Sequence, residues 1–200
     1  MRFKGEQILE LVSGYGEVWS AGVLSQLLGH QGYDFEFVNA KDVLFVEDGG
    51  RNGPEVLWKR SRETLQKHLA TLDTGDRRPH LVITGYVAST PDGVATTLKR
   101  DGSDFSASIF AHLLQASQIY IWTDVSGVLT ADPRRVPGAR PLECISYNEA
   151  MELAFFGAKV IHPKTMQPAI YDSIPIYVKN TFQPQAPGTC IHVPSEATMQ

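Results

Sequence analysis

The run Thr96-Thr97-Leu98-Lys99-Arg100-Asp101-Gly102-Ser103-Asp104 leads straight into the apolar-periodic segment Phe105 to Ala116. Phe105, Ile109 and Leu113 recur at i, i+4 and i+8, so a helix burying one stripe is expected, with Ser103 or Asp104 capping its start. Two cations therefore stand just before a helix N-terminus. That end carries partial positive charge and unpaired N–H groups, and Gly102 allows the backbone to approach an anion closely. Such a place suits a carboxylate or a phosphate. A plainer reading stays open, in which Asp-Gly-Ser-Asp is a turn plus a cap and both cations are solvated.

Other residues able to do chemistry are Glu17, after the Ser13-Gly14-Tyr15-Gly16 break, the pair Thr123-Asp124, Arg134 in a turn, and Lys159 after Gly157-Ala158. Glu17 alone is equally read as a complement to a helix dipole. Together the set offers carboxylates for an amine and cations for carboxylate and phosphate, but no nucleophile paired to a base. That suits phosphoryl transfer to an acceptor that is already ionised, where positioning and charge neutralisation dominate. A carboxylate acceptor needs no general base.

The elements that must position these residues alternate strand and helix. A short helix Gly5 to Val12 and a second from Glu17 to Gly29 are expected, with Glu17 in the first turn of the second. Tyr33 to Val38 and Asp42 to Glu47 read as extended, Asp48 to Pro54 and Asp73 to Pro79 as loops, and Glu55 to Leu72 as a solvated helix. His80 to Gly85 and Ile119 to Asp124 are apolar runs bounded by turn residues, expected as parallel strands buried on both faces and joined by a crossover through the Phe105 helix. Their C-terminal ends form the edge where open α/β sheets bind ligands. Ser146-Tyr147-Asn148-Glu149 is a capping box before a helix from Ala150 to Phe156. A further helix, Lys164 to Tyr171, follows His162-Pro163, and Ile174 to Asn180 is the last strong strand. His162 is either a buried, hydrogen-bonded residue or a cap; no catalytic partner is signalled nearby.

With 200 residues, 42% hydrophobic and 20% charged, the chain can bury a sizeable core. A net charge of -4 provides no basic field for nucleic acid or an anionic membrane, so neither is an expected partner. Cys144 and Cys190 form no metal-ligand spacing and no disulfide framework, and are expected to do no more than pack. No apolar run approaches a membrane span, and the cytosol is the default compartment.

Five segments resemble the aspartate kinases of the amino acid kinase family, above all the kinase portion of plant-type bifunctional aspartokinase/homoserine dehydrogenases. They are Gly14 to Ser20, Thr96 to Ala107, Trp122 to Val125, Ala131 to Arg134 and Phe156 to Pro163. The resemblance implies a three-layer α/β/α fold with a mainly parallel sheet. Residues 1–193 would be the catalytic domain lacking its N-terminal segment, with a substrate lobe of about 1–117, a nucleotide lobe of about 118–193 and a tail at 194–200. It implies ATP-dependent phosphorylation of the side-chain carboxylate of L-aspartate to 4-phospho-L-aspartate, the entry to lysine, threonine and methionine synthesis.

By that likeness Glu17 pairs with the substrate ammonium and Arg100 binds its α-carboxylate bidentately. Asp101, Gly102 and Ser103 line the same site, and Asp104 organises its polar partners. Thr123, Asp124, Leu129, Arg134, Lys159 and Val160 hold the nucleotide, and Mg2+ arrives with ATP. A homo-oligomer or a longer multidomain chain is implied, in the cytoplasm or, for a photosynthetic eukaryote, the plastid.

Three departures stand out. The family often has Arg-Gly-Gly-Ser-Asp where Asp101 here takes a glycine position, and Leu129 replaces a usual Tyr. The family's opening Lys-Phe-Gly-Gly-Thr-Ser phosphate loop has no counterpart before Gly14, so weak turnover and exposed apolar surface are expected. Two other readings stay open: a non-catalytic aspartate- or nucleotide-binding module, and a kinase for another amino acid or for carbamate.

Overall fold

The computed structural model of the chain describes residues 5–72, 79–99, 101–131, 136–155 and 161–193. The elements in chain order are α1 (Gly5–His30), β1 (Phe35–Val38), α2 (Ala40–Val43), β2 (Val46–Glu47), a 3-10 turn at Gly50–Asn52, β3 (Glu55–Val56), α3 (Trp58–Leu72), β4 (His80–Ile83), β5 (Val87–Ser89) and β6 (Ala95–Thr97). They continue with α4 (Gly102–Leu114), β7 (Ile119–Thr123), β8 (Cys144–Ser146), α5 (Tyr147–Phe155), α6 (Pro163–Tyr171), β9 (Ile176–Asn180) and β10 (Thr189–His192). Two compact units divide at Ser103/Asp104, inside the first turn of α4.

In the first unit β1 and β4 pair in parallel, β5 and β6 form an antiparallel hairpin, and β2 pairs with β3. The expected break at Ser13 to Gly16 does not occur: α1 is one helix of 26 residues. Gly14 is buried in it, and a Cβ there would stand 2.8 Å from Val87 Cγ1. This glycine lets the helix press against the hairpin, and burial of Ala21 and Ser25 on the same face outweighs the roughly 1 kcal/mol that each interior glycine costs. Glu17 consequently lies mid-helix, not in a first turn, so a dipole role is removed. The outer face of α1 carries Ile8, Val12, Tyr15, Trp19 and Val23, all exposed, with Tyr15 and Trp19 stacked at 5.7 Å.

The stretch expected to be extended from Asp42 is instead the short helix α2 followed by β2. Asn39 accepts from Lys41 N, and the buried Thr84 hydroxyl accepts from Ala40 N at 2.7 Å, so a long-range partner satisfies the helix start. Ser61 and Ser89 likewise tie the buried Phe45 segment: Phe45 N donates to Ser61 Oγ at 3.0 Å and Ser89 Oγ donates to Lys41 O at 2.7 Å. Thr96 lies on the return arm of a hairpin whose turn, Thr90 to Gly93, is closed by Gly93 N donating to Thr90 O at 2.9 Å. The Pro91-Asp92-Gly93 signal for it was present in the sequence. Among the described residues β4 pairs with β1 and β7 with β9, so the expected crossover joining β4 to β7 in one sheet is not found there.

In the second unit the sheet order is β7-β9-β10-β8, parallel except for β9/β10. Register places Ile119, Ile176, Ile191 and Ile145 in one row, all buried against Ala111, Ala150, Met166 and Ala169 of α4, α5 and α6. The adjacent row, Tyr120, Tyr177, Cys190 and Cys144, points to the opposite face, where Tyr120 and Cys144 are exposed. Neither β4 nor β7 is buried on both faces: His80, Tyr120 and Trp122 are exposed, an alternation set by one-sided helix cover.

The capping box forms as predicted. Glu149 N donates to Ser146 Oγ at 3.2 Å, and Ser146 N donates back to Glu149 Oε2 at 2.7 Å. The backbone and hydroxyl bonds from Ser146 hold the Glu149 carboxyl below its ordinary 4.5. A depressed folded value means that this contribution is complete above 4.5 and is lost as the pH falls through the folded value. Glu149→Gln is therefore expected to lose less stability than the native chain on acidification from neutral to below 4.5. Urea unfolding at both pH values checks this, and equal losses would contradict it. His162 is a cap: its Nδ1 accepts from Lys164 N at 3.2 Å at the start of α6. Burial pushes the Tyr147 phenol up to about 12, and its hydroxyl donates to the Ile174 carbonyl.

Candidate functional site

The corner between β6 and α4 has an unusual backbone. Lys99 and Asp101 both stand in the left-handed region, at φ 63 and 56, as does Tyr86 at φ 66. Each such non-glycine residue costs of order 1 kcal/mol, and strain of this kind collects where the chain must present donors in one way. The helix starts at Gly102, one residue before the expected caps, so Ser103 and Asp104 lie inside its first turn. The reason is packing. Gly102 is buried, a Cβ on it would meet Tyr86 Cδ2 at 2.6 Å and Leu98 Cβ at 3.1 Å, and Leu98 N donates to Tyr86 O at 2.7 Å. Gly85 closes the same corner, its Cβ position lying 3.5 Å from Ser103 Cα.

The left-handed φ also explains a departure seen in the sequence. Position 101, often glycine in the family's Arg-Gly-Gly-Ser-Asp, requires positive φ, and Asp is among the few other residues that adopt it at modest cost. Lys99, Asp101 and Ser103 are exposed and Asp104 is half-buried. In the same unit, Thr97 Oγ1 on β6 is buried without a hydrogen-bond partner among the described residues. Glu17 is half-buried on α1, and α1 packs against β6.

In the second unit Thr123 and Asp124 end β7, with Thr123 Oγ1 donating to Asp124 Oδ1 at 3.2 Å and Asp124 exposed. The turn after them is held from the neighbouring strands. Thr123 O accepts from Thr181 N at 2.8 Å, Asn180 Nδ2 donates to Ser126 Oγ at 3.0 Å, and Thr189 Oγ1 accepts from Val128 N at 2.8 Å. Leu129 is half-buried and bridges to Pro141. Arg100, Arg134, Lys159 and Val160 lie outside the described residues. Among the described residues no three His, Cys, Asp or Glu side chains converge on a metal position. Tyr86, Asn180 and Thr189 escaped the sequence reading because each acts through a long-range contact that no local pattern encodes.

The chain can be placed among known proteins. The sequence profile of the amino acid kinase family matches residues 4–180. The chloroplastic bifunctional aspartokinase/homoserine dehydrogenase of Daucus carota is 44% identical over 186 residues, which cover 93% of this chain and 20% of that protein. The lysine-sensitive aspartokinase 3 of Escherichia coli is 39% identical over 184 residues, covering 91% of this chain and 39% of that protein. The chain thus spans well under half the length of these relatives. Among solved structures, Escherichia coli aspartokinase III in complex with aspartate and ADP has a TM-score of 0.85 at 31% identity, over 95% of this chain and 42% of that one. UMP kinase from Ureaplasma parvum, at 17% identity and a TM-score of 0.59, shares the fold alone. On the extent of the family match and the agreement in α/β fold, this chain belongs to the amino acid kinase family.

Proposed function

We propose that the chain is the catalytic part of an aspartate kinase, transferring the γ-phosphoryl group of ATP to the side-chain carboxylate of L-aspartate to give 4-phospho-L-aspartate, the first step of lysine, threonine and methionine synthesis. The observation that carries this reading is the corner made by Tyr86, Lys99, Asp101 and Gly102. Lys99 and Asp101 in the left-handed region, and Tyr86 closing over Gly102, fit the backbone form that an Arg-Gly-Gly-Ser-Asp sequence serves.

In this reading Arg100 holds the α-carboxylate, with Asp101, Gly102 and Ser103 supplying the helix-start donors, and Glu17 receives the ammonium group. Asp104 fixes polar partners around the acceptor. The buried Thr97 hydroxyl, unpaired among the described residues, fits a polar ligand or water reaching this corner. Thr123, Asp124, Leu129, Arg134, Lys159 and Val160 bind the nucleotide. The exposed hydroxyl-carboxylate pair at the end of β7 fits the hydroxyl and amine groups of a nucleoside. ATP supplies the phosphoryl group, and Mg2+ enters with its phosphates. The acceptor is ionised at neutral pH, so the chain's task is to orient it in line and neutralise charge.

The apolar outer face of α1 favours a longer multidomain chain or a second copy as its cover. Chloroplastic relatives favour a plastid over the cytoplasm where the source is photosynthetic. Among the described residues no helix is long and apolar enough to cross a membrane.

The test is calorimetry with L-aspartate together with a coupled ADP-release assay on the 200-residue polypeptide and a panel of amino acid and carbamate acceptors. Aspartate is expected to bind. Turnover is expected to be slow, because these residues include no Lys-Phe-Gly-Gly loop, and loss of such an electrostatic group costs on the order of 10²–10³ in rate. A segment carrying that loop is expected to raise turnover. Absence of aspartate binding would overturn the substrate assignment. Binding without turnover even with the segment added would leave a non-catalytic module.

A further inference from the structure

Cys144 and Cys190 are far apart in sequence and were expected only to pack, but the fold brings them together. They are direct partners in the parallel β8/β10 ladder, so their side chains leave the same face of the sheet. Both are free thiols, Cys144 exposed and Cys190 half-buried. Paired Cα atoms on adjacent strands lie roughly 4.7–4.9 Å apart. That is inside the range of roughly 4.4–6.8 Å that a disulfide requires. The face they share is the open one, with Tyr177 and Tyr120 completing the row, so a small reagent has access from solvent.

We propose that Cys144 and Cys190 form an intramolecular redox pair that closes to a disulfide by exchange with a low-molecular-weight disulfide. The thiolate of Cys144, the exposed member, attacks one sulfur of the reagent, forming a mixed disulfide and releasing one small thiolate. The Cys190 thiolate then attacks the Cys144 sulfur and expels the second. Two electrons pass from the protein thiols to the reagent, and their two protons end on the two released thiols.

The consequence is local. Among the described residues β8 is the edge strand, three residues long and paired only with β10. It leads directly into the capping box and α5. The bond staples that edge to the sheet and is expected to slow exchange of the β8 amides. It is also expected to raise Tm by several degrees, on the order of 5 °C or more.

The experiment incubates the folded chain with oxidised glutathione, then reads intact mass, free-thiol count and the linked peptides. The expected result is loss of two hydrogens, no free thiol and a Cys144–Cys190 linked peptide, reversed by a dithiol reductant. Cys144→Ser and Cys190→Ser, each checked for folding by circular dichroism, are expected to stop at the mixed disulfide with glutathione still attached. Persistent glutathione adducts on the native chain, disulfide-linked dimers, or unreacted thiols in the folded protein would each overturn the proposal. None of these outcomes depends on the kinase reading.

Discussion

Arg100→Ala is expected to weaken L-aspartate binding about a hundredfold or more while leaving ATP binding unchanged, read by calorimetry on the two ligands separately. A guanidinium engaging a carboxylate through two parallel hydrogen bonds is a charge-assisted contact, and truncating it leaves the ligand's charge without a partner. Such truncations cost about 2–5 kcal/mol. Arg100→Lys keeps the charge but not the planar fork, so an intermediate loss is expected. The fold supplies the reason for a strong effect at this position. Its sequence neighbours Lys99 and Asp101 stand in left-handed conformations, and a Cβ on Gly102 would meet Tyr86, so the described residues on either side have little room to rearrange. Native-like aspartate affinity in Arg100→Ala would remove the basis for assigning this corner to the substrate.

The second large effect is on stability. Gly188→Ala is expected to cost about 3 kcal/mol, from roughly 1–2 for a left-handed side chain and 1–3 for overpacking. For a chain of this size that corresponds to a fall in Tm of roughly 6–12 °C. Gly188 has φ 74, and an added Cβ would run into the Val178 carbonyl oxygen and reach Lys179 Cγ at 3.3 Å. Relief would require moving the start of β10, where Thr189 Oγ1 binds Val128 N and donates to Leu142 O at 2.5 Å. The change would therefore disturb the turn that follows Thr123 and Asp124. Gly138→Ala is the control, since among the described residues nothing lies within 4 Å of its Cβ position. Thermal unfolding of the two variants decides the matter, and similar Tm values would show that the β9/β10 junction yields more than its packing implies.

How the cysteines, the hairpin and the long helix escaped the sequence reading has one explanation. Local composition marks Gly14 and Gly16 as breakers, yet Gly14 is a contact with Val87, more than seventy positions along the chain. Position 101 looked like a simple replacement of glycine by aspartate until its φ showed what the glycine is for. Cys144 and Cys190 became neighbours only through the register of β8 on β10. Half of the expected nucleotide set, Arg134, Lys159 and Val160, lies outside the described residues.

By itself the sequence determined what depends on neighbours within a turn or two. These are the apolar runs that become β4, β7 and β9, the reciprocal Ser146–Glu149 cap, and the ordered motifs that mark the family. Tertiary structure alone decided that α1 runs unbroken, that β5 and β6 turn back on each other, that Thr84 completes the start of α2, and that the open face of the second sheet aligns two tyrosines with two thiols. The physical reason is that propensity and capping act over about four residues with energies near 1 kcal/mol. Register and close packing join distant segments, and their summed burial overrides those local preferences.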